Sequence, residues 1–127
     1  MAFKVLIVDD EPDVEVLIRQ RFRKEMRNGE YEFVFAQHGA QALGQLRNDP
    51  SLEIIMTDIN MPVMDGLKLV SLVRQNAQLK NIPIIIITTE GAEEDRERGL
   101  ALGANAYISK PIQSSHLIKT ISELLSV

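Results

Sequence analysis

Residues 83–88 read Pro-Ile-Ile-Ile-Ile-Thr, four consecutive isoleucines between a proline and a threonine. β-Branched side chains favour strands. A strand that is apolar at every position, and not only at alternate ones, is typical of a parallel sheet covered on both faces. The segment therefore predicts a buried parallel strand in an α/β protein.

Apolar runs alternate with longer amphipathic stretches along the whole chain. The other strand candidates are Phe3–Val8, Glu32–Ala36, Leu52–Thr57 and Ala106–Ser109. Apolar residues at helical spacing follow each strand, beginning near residues 12, 42, 67, 92 and 117. The first of these patterns continues through Phe22 and Met26, which predicts one helix that ends at Asn28 and Gly29. Five β-α units with right-handed crossovers predict a five-stranded parallel sheet of order 2-1-3-4-5 with helices on both faces.

The composition places limits on the class of protein. The chain has 127 residues, a net charge of −4 and no cysteine. This length predicts one domain over residues 1–127, and the acidic balance argues against broad binding of nucleic acid. The longest aliphatic run, Ile84–Ile87, is too short to cross a bilayer. We expect a soluble cytoplasmic protein without membrane partners.

Polar side chains stand at the ends of four predicted strands. Asp9 and Asp10 follow the first strand, Asp58 the third, Thr88 and Thr89 the fourth, and Lys110 the fifth. Adjacent acids are often a solvated turn, and a lone Lys before Pro is often a surface residue. Placement at one sheet edge, where open α/β folds bind ligands, favours a common site.

Such a site has a definite chemistry. Clustered carboxylates repel one another, and a hard cation such as Mg²⁺ with oxygen ligands relieves that repulsion. Lys110 and the hydroxyl of Thr88 could then offset the charge of a transferring phosphoryl group, which a carboxylate can accept.

Four motifs together resemble the receiver domains of two-component response regulators. Residues 5–12 read Val-Leu-Ile-Val-Asp-Asp-Glu-Pro, and residues 57–66 read Thr-Asp-Ile-Asn-Met-Pro-Val-Met-Asp-Gly. Residues 87–89 and 109–111 supply Ile-Thr-Thr and Ser-Lys-Pro. The likeness covers the whole chain in order and implies a flavodoxin-like (βα)5 fold of the chemotaxis-receiver type.

The resemblance implies that Asp58 is the phosphoacceptor. Asp10, Asp58 and the backbone carbonyl of Asn60 would bind Mg²⁺ or Mn²⁺, with Asp9 holding a metal-bound water. Lys110 would contact the phosphoryl group, and its bond to Pro111 is often cis in the family. Such a chain is not an enzyme in the ordinary sense, since it catalyses only its own phosphorylation and dephosphorylation.

The resemblance also implies which residues move on phosphorylation and which ones set the lifetime of the phosphorylated state. Thr88 would turn toward the phosphoryl group and Tyr107 would rotate inward with it. Asn60 and Glu90 would flank the path of the hydrolytic water. Thr89 stands where the family usually has Ala or Gly, so its extra bulk is expected to narrow that path.

The partners implied are a histidine kinase or phosphotransfer protein upstream and an effector domain or protein downstream. Signalling would pass through the face made by the fourth helix, fifth strand and fifth helix (α4-β5-α5 in the numbering of five helices). We call this the output face. Homodimerisation through it is common in the family.

Three alternatives remain open from the residues. A haloacid-dehalogenase-like phosphohydrolase would need an acid at position 60, where this chain has Asn. A flavodoxin-type binding module would need a Gly-rich or hydroxyl-rich loop after the first strand, where this chain has acids. A receiver that docks partners without phosphorylation usually lacks one of the acids or the lysine.

Overall fold

The computed structural model describes residues 3–59, 64–89 and 92–125. Five strands form one parallel sheet in the order β2-β1-β3-β4-β5, which confirms the predicted topology. The strands are β1 (Phe3–Val8), β2 (Tyr31–Ala36), β3 (Ile54–Asp58), β4 (Ile84–Thr88) and β5 (Ala106–Ser109). The helices are α1 (Pro12–Arg21), α2 (Arg23–Arg27), α3 (Gly39–Asn48), α4 (Gly66–Gln75), α5 (Glu93–Leu102) and α6 (Ser114–Leu125).

The four isoleucines of β4 show why the sheet needs cover on both faces. All four are fully buried. Ile85 and Ile87 belong to the core under α1 and α6, and Ile84 and Ile86 to the core under α3 and α4. Gly99 of α5 also packs against Ile86. Successive side chains of a strand point to opposite faces, so one strand contributes to both cores.

Several element boundaries differ from prediction, two of them beside an identifiable contact. The first helix is interrupted at Phe22, whose φ of −109° and ψ of 19° leave the helical region. The buried Phe22 ring packs 5.1 Å from the Phe33 ring on β2, so tertiary packing accompanies the break. β3 begins at Ile54 and not at Leu52, because the Leu52 N–H donates to the carbonyl of Asp49 in a turn.

Arg74, at the end of α4, connects several segments at the amino end of the sheet, opposite the edge at which the strands terminate. Its Nε donates to the carbonyl of Gly103 at 2.8 Å, and Nη1 donates to the carbonyls of Lys80 and Ile82 at 2.9 and 2.7 Å. Nη2 donates to Oδ1 of Asn105 at 2.8 Å. One planar guanidinium thus connects α4, the following loop and the loop before β5.

None of the helices in the described ranges is long and apolar enough to cross a bilayer.

Candidate functional site

Three carboxylates converge at the carboxyl edge of the sheet. One oxygen from each of Asp9, Asp10 and Asp58 lies within 4.8 Å of the others. Asp9 and Asp58 are each only 6% exposed, whereas Asp10 is exposed. β1 and β3 are neighbours in the sheet and both run toward this edge, so the three acids meet at the point where the strand order reverses.

Asp9 has one satisfied and one unsatisfied oxygen. Oδ1 accepts a hydrogen bond from the backbone N–H of Glu11 at 2.9 Å. Oδ2 is buried and accepts no hydrogen bond from the described residues. Buried polar atoms are rarely left without a partner. A cation or a metal-bound water would supply one, so this donor set fits a hard divalent metal.

Lys110 supplies the positive charge of the cluster. Its Nζ lies 3.1 Å from Oδ2 of Asp58 and 3.6 Å from Oδ2 of Asp9. Burial lowers the pKa of Lys110, but the hydrogen bond to Asp58 and the charges of both acids outweigh burial, so the pKa is raised. The lysine therefore stays protonated at neutral pH. The Lys110–Pro111 peptide bond is cis, as the resemblance implies.

The pKa of Asp9 is raised to about 6, chiefly by burial. The N–H of Glu11 opposes this increase, the charge of Asp58 adds to it, and the charge of Lys110 again opposes it. The charge of Lys110 therefore does not cancel the effects that raise the pKa of Asp9. A further cation bound beside the three carboxylates would reduce the repulsion between them.

The raised pKa of Asp9 predicts a pH-dependent stability. The folded chain holds this proton more tightly than the unfolded chain, whose Asp9 titrates near 3.8. Ionised Asp9 therefore costs stability, and the cost grows as the pH rises from about 4 to about 6. Asp9→Asn keeps an acceptor for Glu11, and should raise the free energy of unfolding more at about pH 7.5 than at about pH 5.

Urea unfolding of both proteins in EDTA at the two pH values measures this difference. Asp13→Asn, an exposed acid outside the cluster, is the matched control. An equal effect of Asp9→Asn at both pH values would contradict the raised pKa.

Thr88 and Tyr107 occupy the positions expected of a switch but differ in exposure. Thr88 ends β4 and is buried, and its carbonyl accepts from the Lys110 N–H at 2.8 Å. Tyr107 lies on the edge strand β5 and is 39% exposed, with its ring facing outward. Thr89 is exposed at the end of β4. Asn60 and Glu90 lie outside the described residues.

Gly66, the first residue of α4, lies close to the backbone of Asp58 and Ile59. A Cβ on Gly66 would lie 2.2 Å from the carbonyl oxygen of Asp58 and 2.9 Å from Cα of Ile59. The Gly66 N–H donates to the carbonyl of Ile59 at 2.9 Å, and the Asp65 side chain caps α4 by accepting from the Lys68 N–H. The start of α4 is thus packed directly on the backbone of the acid.

Two contacts near the site were not predicted from the sequence. Arg96 on α5 lies over the ring of Tyr107, with its guanidinium carbon 4.5 Å from the ring centroid. The second is the contact of Gly66 with the Asp58 backbone. Apolar periodicity carries no signal for either contact, because it indicates which side of an element is buried and not which residue that side touches.

The family model for the response regulator receiver domain matches residues 5–122. The chain is 36% identical over 122 residues to "Chemotaxis protein CheY1" of Helicobacter pylori, covering 96% of both chains. It is 33% identical over 125 residues to "Phosphate regulon transcriptional regulatory protein PhoB" of Klebsiella pneumoniae, covering 98% of this chain and 52% of that protein.

The fold is similar to that of solved receivers. The crystal structure of a putative response regulator from Chloroflexus aurantiacus superimposes with a TM-score of 0.90 at 28% identity, over 100% of both chains.

Proposed function

Because the chain belongs to the response-regulator receiver domains of two-component signalling, we propose that Asp58 accepts a phosphoryl group in the presence of Mg²⁺ or Mn²⁺. The single observation that carries this proposal is the cluster itself. Asp58 ends a buried strand, lies against the ammonium group of Lys110 and shares its edge with Asp9 and Asp10. Receivers are signalling proteins, so the product is a changed surface and not a released metabolite.

In the proposed reaction a carboxylate oxygen of Asp58 attacks the phosphorus of the donor. A new O–P bond forms while the P–N bond of a phosphohistidine, or the P–O bond of a small acyl phosphate, breaks. The electron pair of the broken bond leaves with the donor. Lys110, 3.1 Å from Asp58, is placed to offset the charge on the peripheral phosphoryl oxygens.

The metal would be held by Asp10 and Asp58, with the carbonyl of Asn60 as a third ligand and Asp9 orienting a metal-bound water. When bound, Mg²⁺ supplies positive charge that offsets the acids and the phosphoryl oxygens. The crowding of three acids supports this assignment, and so does the buried Oδ2 of Asp9, which accepts no hydrogen bond from the described residues.

Removal of Asp10 should weaken the metal site. We expect Asp10→Ala to lose Mg²⁺ affinity by about tenfold or more, or at least about 1.4 kcal/mol, because one of two carboxylate ligands is gone. The chain has no Trp to report binding by fluorescence, so isothermal titration calorimetry is the measurement. Asp13→Ala removes an exposed acid in the first turn of α1 that is not one of the three clustered acids, and should bind as wild type. Unchanged affinity in Asp10→Ala would place the metal elsewhere.

The switch that we propose involves Thr88, Lys110 and Tyr107. Phosphorylation would draw the hydroxyl of Thr88 and the ammonium group of Lys110 toward the new phosphoryl oxygens. Tyr107, now outward, would rotate inward and alter the output face, which comprises α5, β5 and α6 in this structure. Downstream effectors would bind that face and distinguish its two conformations. Homodimerisation through it and lifetime control by Asn60, Thr89 and Glu90 stay predictions.

The upstream donor would be a histidine kinase or phosphotransfer protein. A direct test needs no kinase, because a small acyl phosphate is a sufficient donor. Incubation with acetyl phosphate and Mg²⁺ should add the mass of one phosphoryl group to the intact protein, and EDTA should prevent it. An intact mass that never changes would instead indicate a receiver that docks partners without phosphorylation.

A further inference from the structure

The outward ring of Tyr107 has a cation above it. The guanidinium carbon of Arg96 lies 4.5 Å from the ring centroid, within the range of a favourable cation–π contact. Arg96 is held on α5 and its side chain is only 30% exposed. Glu93, one turn earlier on the same helix, approaches its Nη2 at 3.6 Å. The aromatic ring on β5 is therefore covered by a side chain of the neighbouring helix.

We propose that Arg96 stabilises the outward position of Tyr107 and so lowers the fraction of unphosphorylated protein in the active conformation. This inference rests on the proposed function, because it assumes that Tyr107 rotates inward on activation. Rotation of the ring into the site would end its contact with Arg96. A contact present in one state and absent in the other shifts the equilibrium by its own free energy.

The surroundings of Tyr107 favour this role for Arg96. β5 is an edge strand of four residues, and its Tyr107 is 39% exposed. Tyr107 also borders an open hollow lined by Leu100, His116 and Thr120, which leaves space beside the residue. Arg96 is the described cation that stacks on it.

The expected change in the inward population of Tyr107 follows from the strength of a cation–π contact. A cation–π pair that is partly exposed changes an equilibrium by about two- to fivefold. Arg96→Gln should raise the inward population of Tyr107 by that factor. Because phosphorylation favours the active conformation, the rate of phosphorylation by acetyl phosphate should rise by up to the same factor. Arg96→Lys keeps a cation and should fall between wild type and Arg96→Gln.

The measurement is ¹⁹F NMR of protein labelled with 3-fluorotyrosine. The chain has only two tyrosines. Tyr31 is buried, with its ring stacked on that of Phe33, and serves as the internal reference. Beryllium fluoride with Mg²⁺, a stable mimic of the phosphoryl group, marks the position of the inward Tyr107 resonance. Arg96→Gln should move the unliganded resonance toward that position.

Arg98→Gln is the matched control. Arg98 lies on the same helix and pairs with Asp95 at 3.8 Å, away from the Tyr107 ring. Arg98→Gln should leave the Tyr107 resonance at its wild-type position. A second control uses Tyr107→Leu, which removes the ring. In that background Arg96→Gln should no longer change the rate of phosphorylation, since the contact is already lost.

The outcomes separate the inference from the proposed function. A wild-type Tyr107 resonance that ignores beryllium fluoride would overturn the switching assigned to Tyr107. A resonance that responds in wild type but is unchanged by Arg96→Gln would overturn the role of Arg96 alone. So would an equal acceleration by Arg96→Gln in the Tyr107→Leu background, because the effect would then not pass through the ring.

Discussion

Asp58→Asn will abolish Mg²⁺-dependent phosphorylation by acetyl phosphate. The substitution retains the size of the side chain but removes the anionic oxygen that must attack phosphorus. Asp9 is also buried in the cluster, but its Oδ1 accepts from Glu11, and its raised pKa of about 6 makes it a less readily ionised acid. Asp58 ends the central strand, and the ammonium group of Lys110 lies 3.1 Å from it, at hydrogen-bond distance, compared with 3.6 Å for Asp9.

The measurement is intact mass over time for wild type, Asp58→Asn and Asp13→Asn in identical donor and Mg²⁺. Asp13→Asn tests whether removal of any nearby charge matters, and should behave as wild type. Thermal unfolding followed by circular dichroism shows that each variant is folded. If Asp58→Asn gains one phosphoryl group at the wild-type rate, the acceptor is another residue.

Gly66→Ala will destabilise the fold and displace the acceptor strand. A Cβ at this position would lie 2.2 Å from the carbonyl oxygen of Asp58, and backbone cannot turn aside as a flexible side chain can. Either α4 or the end of β3 must move. We expect the free energy of unfolding to fall by about 2–3 kcal/mol, the usual cost of overpacking a tight site. Phosphorylation of Asp58 should slow as well, because the shifted group is the nucleophile.

Gly44→Ala is the matched control for this prediction. Gly44 lies within α3, and a Cβ there would meet nothing within 4 Å. Alanine is the better helix former, so Gly44→Ala should stabilise the protein by about 0.5–1 kcal/mol. Urea unfolding of the three proteins compares them directly. A Gly66→Ala variant as stable as Gly44→Ala would show that the two segments separate easily.

The strands were predictable because burial on both faces leaves a distinct pattern. The isoleucines of β4 carry no alternation, and their prediction as a buried parallel strand is confirmed. The first helix was predicted too long, since helical spacing continues through Phe22 in sequence while the backbone does not. Local periodicity indicates which side of a helix is apolar, but it does not indicate where the backbone leaves the helical region.

The candidate site was predictable in its members but not in its contacts. Sheet topology alone brings Asp9, Asp10 and Asp58 to one edge, and the structure places their oxygens together. The distance of Gly66 from Asp58 and the stacking of Arg96 on Tyr107 depend on how helices pack on the sheet. Those contacts join residues 8 and 11 positions apart in sequence, and the motif at residues 57–66 contains Asp58 and Gly66 without specifying how closely they approach.

The contacts of Arg74 have a practical consequence for protein engineers. The loop at residues 76–82 is partly exposed and lies far from the chemistry, so it looks suitable for inserting a peptide or a reporter domain. Its carbonyls at Lys80 and Ile82 nevertheless accept hydrogen bonds from Arg74, and tolerance of an insertion depends on such backbone bonding and not on exposure alone. A longer loop would release the guanidinium from two of its four acceptors while leaving its charge partly buried. Biosensor designs based on this receiver should therefore place their insertions elsewhere.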